Sequence, residues 1–206
     1  SDGTSIQNLV EDLMLAYEQN LAPLELQYKD FAVWQTELFN SEMIKEQKQY
    51  WLDKFSGEIP TLQLPTDYPR PAQQSFAGDR IKFTIGKEFT AKLNKLASET
   101  DTTLFMVLLA AYNILLAKYS KQTDIIVGTP TSGRNHPDLQ ELIGMFINTL
   151  PMRNNPQPDK QFNQFLQEIK QNTLEAFANQ DYQFDELVEE LNLSRNLSRN
   201  SLVDTM

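Results

Sequence analysis

Between residues 4 and 20 the apolar positions recur at steps of three and four. Ile6, Leu9, Val10, Leu13, Met14 and Tyr17 fall on one face, which predicts an amphipathic helix. Thr4 and Gln7 have the spacing of a capping box at its start. After a loop with Pro23, residues 28–57 read as one long helix or two consecutive ones, ending at Gly57. The aromatics of this stretch, from Tyr28 and Trp34 to Trp51 and Phe55, are core or packing residues by their spacing. Residues 59–79 have four prolines and little periodicity, the texture of a connector. "RIKFTI", 80–85, alternates and predicts a strand. Residues 88–100 predict a helix with Phe89, Leu93 and Leu96 inward, and 103–119 a buried apolar helix. "DIIVGTP", 124–130, predicts a buried strand ended by Gly128 and Pro130, and "GMFINTLPMR", 144–153, predicts another. Two helices close the pattern, about 160–178 with Phe165, Leu166 and Ile169, and 184–192 with Leu187 and Leu191. "SLVDTM" at the end has the look of a starting strand. Helices and strands mixed in this way predict a layered α/β architecture.

Composition narrows the functions open to such a chain. The 206 residues carry a formal net charge of −10. A polyanionic target such as nucleic acid is not expected, because binding one needs an excess of Lys and Arg. There is no cysteine, which excludes disulfides, thiolate catalysis and Cys-based zinc sites. The single histidine, His136, has no metal-ligand spacing around it. The longest apolar stretch, residues 104–117, is too short to span a bilayer, so no membrane is expected as a partner. "LSRNLSRN", 193–200, doubles a four-residue unit that is too short for a structural repeat.

Chemistry has to come from the motifs. "SDG" at 1–3 resembles the end of an HHxxxDG motif. "YKDFAVWQ", 28–35, resembles Y-x-D-[FY]-A-V-W, and "IGMFINTLPMR", 143–153, resembles I-G-x-F-V-N-T-L. "NQDYQFDEL", 179–187, is similar to H-Q-D-x-P-F-E, and "RNLSRNSL", 195–202, to R-D-x-S-R-N-P-L. In this order, across essentially the whole chain, they resemble the core motifs of condensation domains of nonribosomal peptide synthetases. The departures (Asn179 for His, Gln183 for Pro, Asn196 for Asp, Ser201 for Pro) fall in motifs that the family uses partly for structure.

The resemblance implies a chloramphenicol-acetyltransferase-like fold of two lobes. This chain would be a middle segment of it, with residues 1–56 ending the N-terminal lobe, 57–80 connecting, and 81–206 forming part of the C-terminal lobe. The motif's paired histidines would lie before Ser1, so the fragment alone is expected to be inactive. The implied reaction is peptide-bond formation between a donor and an acceptor thioester. Both substrates would ride on 4'-phosphopantetheine arms of peptidyl carrier proteins, beside an adenylation domain, in the cytoplasm. The domain itself is expected to bind no cofactor and no metal. "SDGTS" with "IGMFINTLPMR" suggests the subtype with an L-configured donor.

The resemblance also assigns candidate residues. Asp2 would organise the active-site loop through an ion pair with Arg134, in the "GTPTSGR" loop; otherwise Ser-Asp-Gly is a turn capping the helix. Gly3 would let a substrate arm pass close to backbone. Asn148 and Asn200 are candidates to line the channel, with a strand-edge place and a turn as their plain alternatives. Tyr28, Asp30, Trp34 and Asp181 read as packing or capping residues. His136, in a loop before Pro137, reads as a solvated or capping residue and not as a base. Two other functions stay open: a related acyltransferase of the same fold, and a catalytically silent condensation-like domain that docks carrier proteins.

Overall fold

A computed structural model describes residues 1–206 apart from 19, 20, 22, 76, 194–196 and 201. The pattern over 28–57 folds as two helices, α2 (Tyr28–Leu38) and α3 (Glu42–Lys54). Phe39, Asn40 and Ser41 part them, and the Ser41 hydroxyl caps α3 by accepting from the Ile44 N–H at 3.3 Å. Upstream lies α1 (Gly3–Glu18). Downstream follow α4 (Lys87–Glu99), α5 (Leu104–Ser120), β1 (Ile125–Thr131), a 3-10 turn (Pro137–Leu139), β2 (Asn148–Asn154), α6 (Phe162–Ala178) and α7 (Phe184–Glu190).

β1 and β2 pair antiparallel, from Ile125 opposite Asn154 to Thr131 opposite Asn148. α5 and α6 pack on this pair and on each other, and α7 bridges β2 and α3. The main core joins Trp51 of α3 and Phe55 at its C-terminal cap to Val107, Ala110, Ile125, Val127, Leu150, Leu166, Ile169 and Leu187. A smaller cluster, Phe31, Leu142 and Phe146, lies apart, with Tyr28 and Leu139 against it. No single described helix is long and apolar enough to cross a membrane. The expected layered α/β class holds.

Several local expectations need correction. α1 starts one residue early, and its cap is Asp2, not a Thr4–Gln7 box: Asp2 Oδ1 accepts the Ser5 N–H at 2.8 Å. The apolar face of α1 is more than half exposed at Ile6, Leu9, Val10, Leu13, Met14 and Tyr17, and the helix's one buried residue is Ser5. "RIKFTI" is not a strand. Ile81 and Phe83 stand 93 % and 83 % exposed, because no described strand lies beside them and a lone strand has nothing to bond. Phe89 points outward, while Leu93 and Leu96 pack on the core. α5 is buried on one side only, with Phe105, Leu108 and Leu115 partly exposed.

β1 runs through Gly128 and Pro130 instead of ending there. The chain's last residues lie along it: Gly128 N–H donates to the Thr205 carbonyl at 2.8 Å. A Cβ on Gly128 would come within 2.6 Å of Val203. "SLVDTM" therefore covers β1 without forming a regular strand among its described residues. β2 begins at Asn148, four residues later than expected. The backbone of 144–146 is engaged by the side chains of Ser5, Tyr28 and Asp2 instead of a neighbouring strand.

Candidate functional site

Three distant segments meet around residues 144–146. Asp2 stands at the N-terminus of α1, where unpaired helical N–H groups favour a carboxylate. Its Oδ1 accepts the Ser5 N–H and lies 2.7 Å from the Ser5 hydroxyl. Its Oδ2 accepts the Phe146 N–H at 3.2 Å. Arg134 completes the set: its Nη2 donates to Asp2 Oδ1 at 3.2 Å and to Ser5 Oγ at 2.9 Å. The two charged side chains are 2 % and 1 % exposed. Both readings of Asp2, helix cap and ion pair, describe the same carboxylate.

Such a pair is tolerable only if the remaining donors are met. Arg134 Nη1 donates to the Leu139 carbonyl and, at 3.3 Å, to that of Gln140. The Arg134 carbonyl takes the Gln140 side-chain amide at 2.8 Å. The guanidinium carbon lies over Phe146, 4.0 Å from the ring centroid, a favourable cation–π arrangement. Only Nε, though buried, has no partner. Burial acts most strongly on Asp2 and by itself would raise its pKa. The Ser5 backbone and hydroxyl, the Phe146 N–H and Arg134 together outweigh it, and the pKa falls from 3.8 to about 2.

Two glycines make the crossing possible. Gly133, just before Arg134, has φ +63°, and a Cβ there would sit 1.9 Å from the Phe146 carbonyl oxygen. A Cβ on Gly144 would sit 2.0 Å from the Tyr28 ring. Tyr28 lies on that bare backbone, donates its hydroxyl to the Met145 carbonyl at 2.9 Å, and meets Phe146 edge-on at 5.2 Å. Phe31 packs on the same ring at 4.7 Å. The "YKDF" motif thus holds the "GMF" motif from behind, and Asp30 caps its own helix by accepting the Gln27 N–H at 2.8 Å.

The other candidates lie around this centre. Gly3 opens α1 with no atom within 4 Å of the place a Cβ would take. Asn148 is buried and saturated. Its amide nitrogen donates to the Gln180 and Tyr182 carbonyls at 2.8 and 2.9 Å, and its oxygen accepts the Thr149 and Phe184 N–H groups. It brackets the "NQDYQF" segment against β2. Asp181 is held there by Asn135 and Gln47, and Trp51 donates to the Asn179 carbonyl at 2.8 Å. Asn179 itself bonds back to the Glu175 carbonyl at 2.8 Å, a helix-ending role that needs no imidazole. Gln183 stands at the N-cap of α7. Asn200 is exposed, and its side-chain oxygen accepts the Leu202 and Val203 N–H groups, an Asx-type turn. Asn196 and Ser201 lie outside the described residues.

His136 is exposed, and its Nδ1 accepts the Asp138 N–H at 3.3 Å, capping the 3-10 turn. It stands at the rim of a pocket of about 360 Å³ lined by Phe31, Trp34, Leu139 and Leu142. Among the described residues no cluster of His, Asp and Glu has the geometry to hold a metal ion. Sequence reasoning missed Ser5, although a serine three residues after an aspartate N-cap has a place where its own N–H must be met.

The condensation domain family model matches residues 1–206. The chain is 57 % identical to tyrocidine synthase 3 of Brevibacillus parabrevis and 56 % identical to gramicidin S synthase 2 of Brevibacillus brevis. It is 52 % identical to bacitracin synthase 3 of Bacillus licheniformis. All of the chain aligns in each case, but it spans only 3 %, 5 % and 3 % of those proteins. Among solved structures, it resembles the X-domain in a complex of the X-domain and OxyB from teicoplanin biosynthesis. There the TM-score is 0.91 at 26 % identity, covering 98 % of this chain and 47 % of that one. It also resembles a four-domain nonribosomal peptide synthetase bound to AMP and glycine, at TM-score 0.89 and 25 % identity, covering 98 % of this chain and 16 % of that one. The fold is therefore the chloramphenicol-acetyltransferase-like one expected from the motifs, and the chain belongs to the condensation domain family.

Proposed function

We propose that this chain is part of a domain that forms a peptide bond in a nonribosomal peptide synthetase. The acceptor's amine attacks the donor's thioester carbonyl, the C–S bond breaks, and the donor's phosphopantetheine thiol leaves. An amide forms, and the lengthened chain remains on the acceptor carrier protein. Carrier proteins and a neighbouring adenylation domain are the partners, in a cytoplasmic setting. The donor terminus is L-configured, the subtype that "SDGTS" and "IGMFINTLPMR" resemble.

The carrying observation is the buried Asp2–Arg134 pair at the start of α1. The residues that the resemblance assigns to catalysis, a pair of histidines, would stand before Ser1, three positions separating the second from Asp2. Asp2 then moves no proton: with its pKa near 2 it stays ionised, and it fixes backbone. Catalysis by positioning two tethered reactants depends on such fixed backbone. The chain's one histidine, exposed in a loop, takes no part, and the 206 residues alone form no peptide bond.

The likeness to the X-domain found in a complex with OxyB favours a second reading, a condensation-like domain that docks a protein partner without chemistry. Replacing both upstream histidines by alanine in the parent synthetase separates the two. Loss of product with retained carrier binding supports the enzyme. An upstream sequence without paired histidines supports the docking domain.

A further inference from the structure

Every described hydrogen bond that ties α1 to the rest of the chain comes from its first two turns, through Asp2, Ser5 and Asn8. The apolar face beyond them touches little, so the direction in which α1 leaves the site is set at that end. Ser5 lies at the crossing point and is 1 % exposed. Its Oγ accepts the Gly144 N–H at 3.0 Å and an Arg134 Nη2–H at 2.9 Å. The same oxygen stands 2.7 Å from Asp2 Oδ1 and 2.8 Å from the Gly144 carbonyl oxygen.

A hydroxyl has two lone pairs and one proton. Both lone pairs are taken, and the proton has two acceptors. The Gly144 carbonyl already receives the Asp2 N–H at 3.0 Å, and the charged carboxylate is the stronger acceptor. The proton therefore goes to Asp2. One atom then links the carboxylate, the guanidinium and the 144–146 backbone. Alanine supplies none of these bonds.

We propose that Ser5 is a positioning residue for the condensation reaction. Its hydroxyl locks Asp2 onto the Gly144–Phe146 segment, and so holds the start of α1 in its working place. This rests on the peptide-bond-forming reading above. Phe146, whose N–H goes to Asp2, extends the contact to α2 through Tyr28 and Phe31.

The test uses the parent synthetase module with loaded donor and acceptor carrier proteins, in Ser5→Ala and Ser5→Cys forms. Ile169→Val, in the main core far along the chain, serves as a control for lost stability. Ser5→Ala is expected to lower kcat for amide formation by about 10- to 100-fold, the scale of a small misplacement of reacting groups, with KM for both carriers unchanged. Ser5→Cys, similar in shape but a weaker donor and acceptor, should fall between, and it carries the test if Ser5→Ala does not fold. The control should lose Tm and keep kcat. An unchanged kcat in the serine variants, or an equal loss in the control, overturns the proposal. A parent module that makes no amide overturns the underlying reading, and the inference falls with it.

Discussion

Asp2 and Arg134 stand 132 positions apart in the chain, and their side chains meet at 3.2 Å, almost wholly buried. Removing either partner leaves the other charge buried alone, which costs about 3–5 kcal/mol. Arg134→Ala should therefore lower the thermal midpoint of the complete domain sharply. Arg134→Lys should rescue little: one guanidinium serves Asp2, Ser5 and the Leu139 and Gln140 carbonyls, and an ammonium cannot match that fork. Thermal unfolding of the two variants checks both statements.

The same carboxylate sets an acid limit. Its folded pKa, about 2, lies below the ordinary 3.8. A depressed carboxylate pKa stabilises the fold above the unfolded value, and the contribution fades as pH falls through the folded one. It amounts to about 2 kcal/mol. Urea unfolding between pH 5 and pH 2 should show that loss in the wild type, and Asp2→Asn should flatten the curve there.

Gly144 is fixed by contact. Gly144→Ala would drive a methyl group into the Tyr28 ring, and overpacking of this kind costs about 1–3 kcal/mol. Tyr28→Ala removes the obstacle but also the bond to the Met145 carbonyl. The double variant should be less destabilised than the sum of the single ones. A double-mutant cycle on unfolding free energies measures the coupling.

His136→Ala should leave product formation unchanged and shift stability by less than about 0.5 kcal/mol, as for an exposed residue. An assay of the parent module at neutral pH decides it. A large loss of kcat would return the lone histidine to the chemistry.

The core elements α5, β1, α6 and α7 were legible because each buries a face within this chain, so apolar period and burial agree. Two of the failures have one cause. The apolar face of α1 and the alternation of "RIKFTI" both promise a partner that no described residue supplies, and periodicity reports a buried face without saying what buries it. β2 started late for another reason. The residues before it read as strand by composition, yet their N–H groups go to Ser5 and Asp2, a long-range use that local pattern cannot show. The motif implies an ion pair for Asp2, Arg134 is the candidate partner, and the two are in contact. Ser5 carried no signal beyond its closeness to Asp2, because its importance comes from Gly144 and Arg134, more than 120 residues away.

Mass measurement of the acceptor carrier protein is the most direct check on a peptide-bond-forming role. The complete domain containing residues 1–206 is mixed with an aminoacyl-loaded donor carrier and an aminoacyl-loaded acceptor carrier, and both are weighed intact. Condensation moves the donor's residue onto the acceptor, which gains that mass while the donor returns to its free thiol. An acceptor of unchanged mass, beside a donor still loaded or merely hydrolysed, would contradict it.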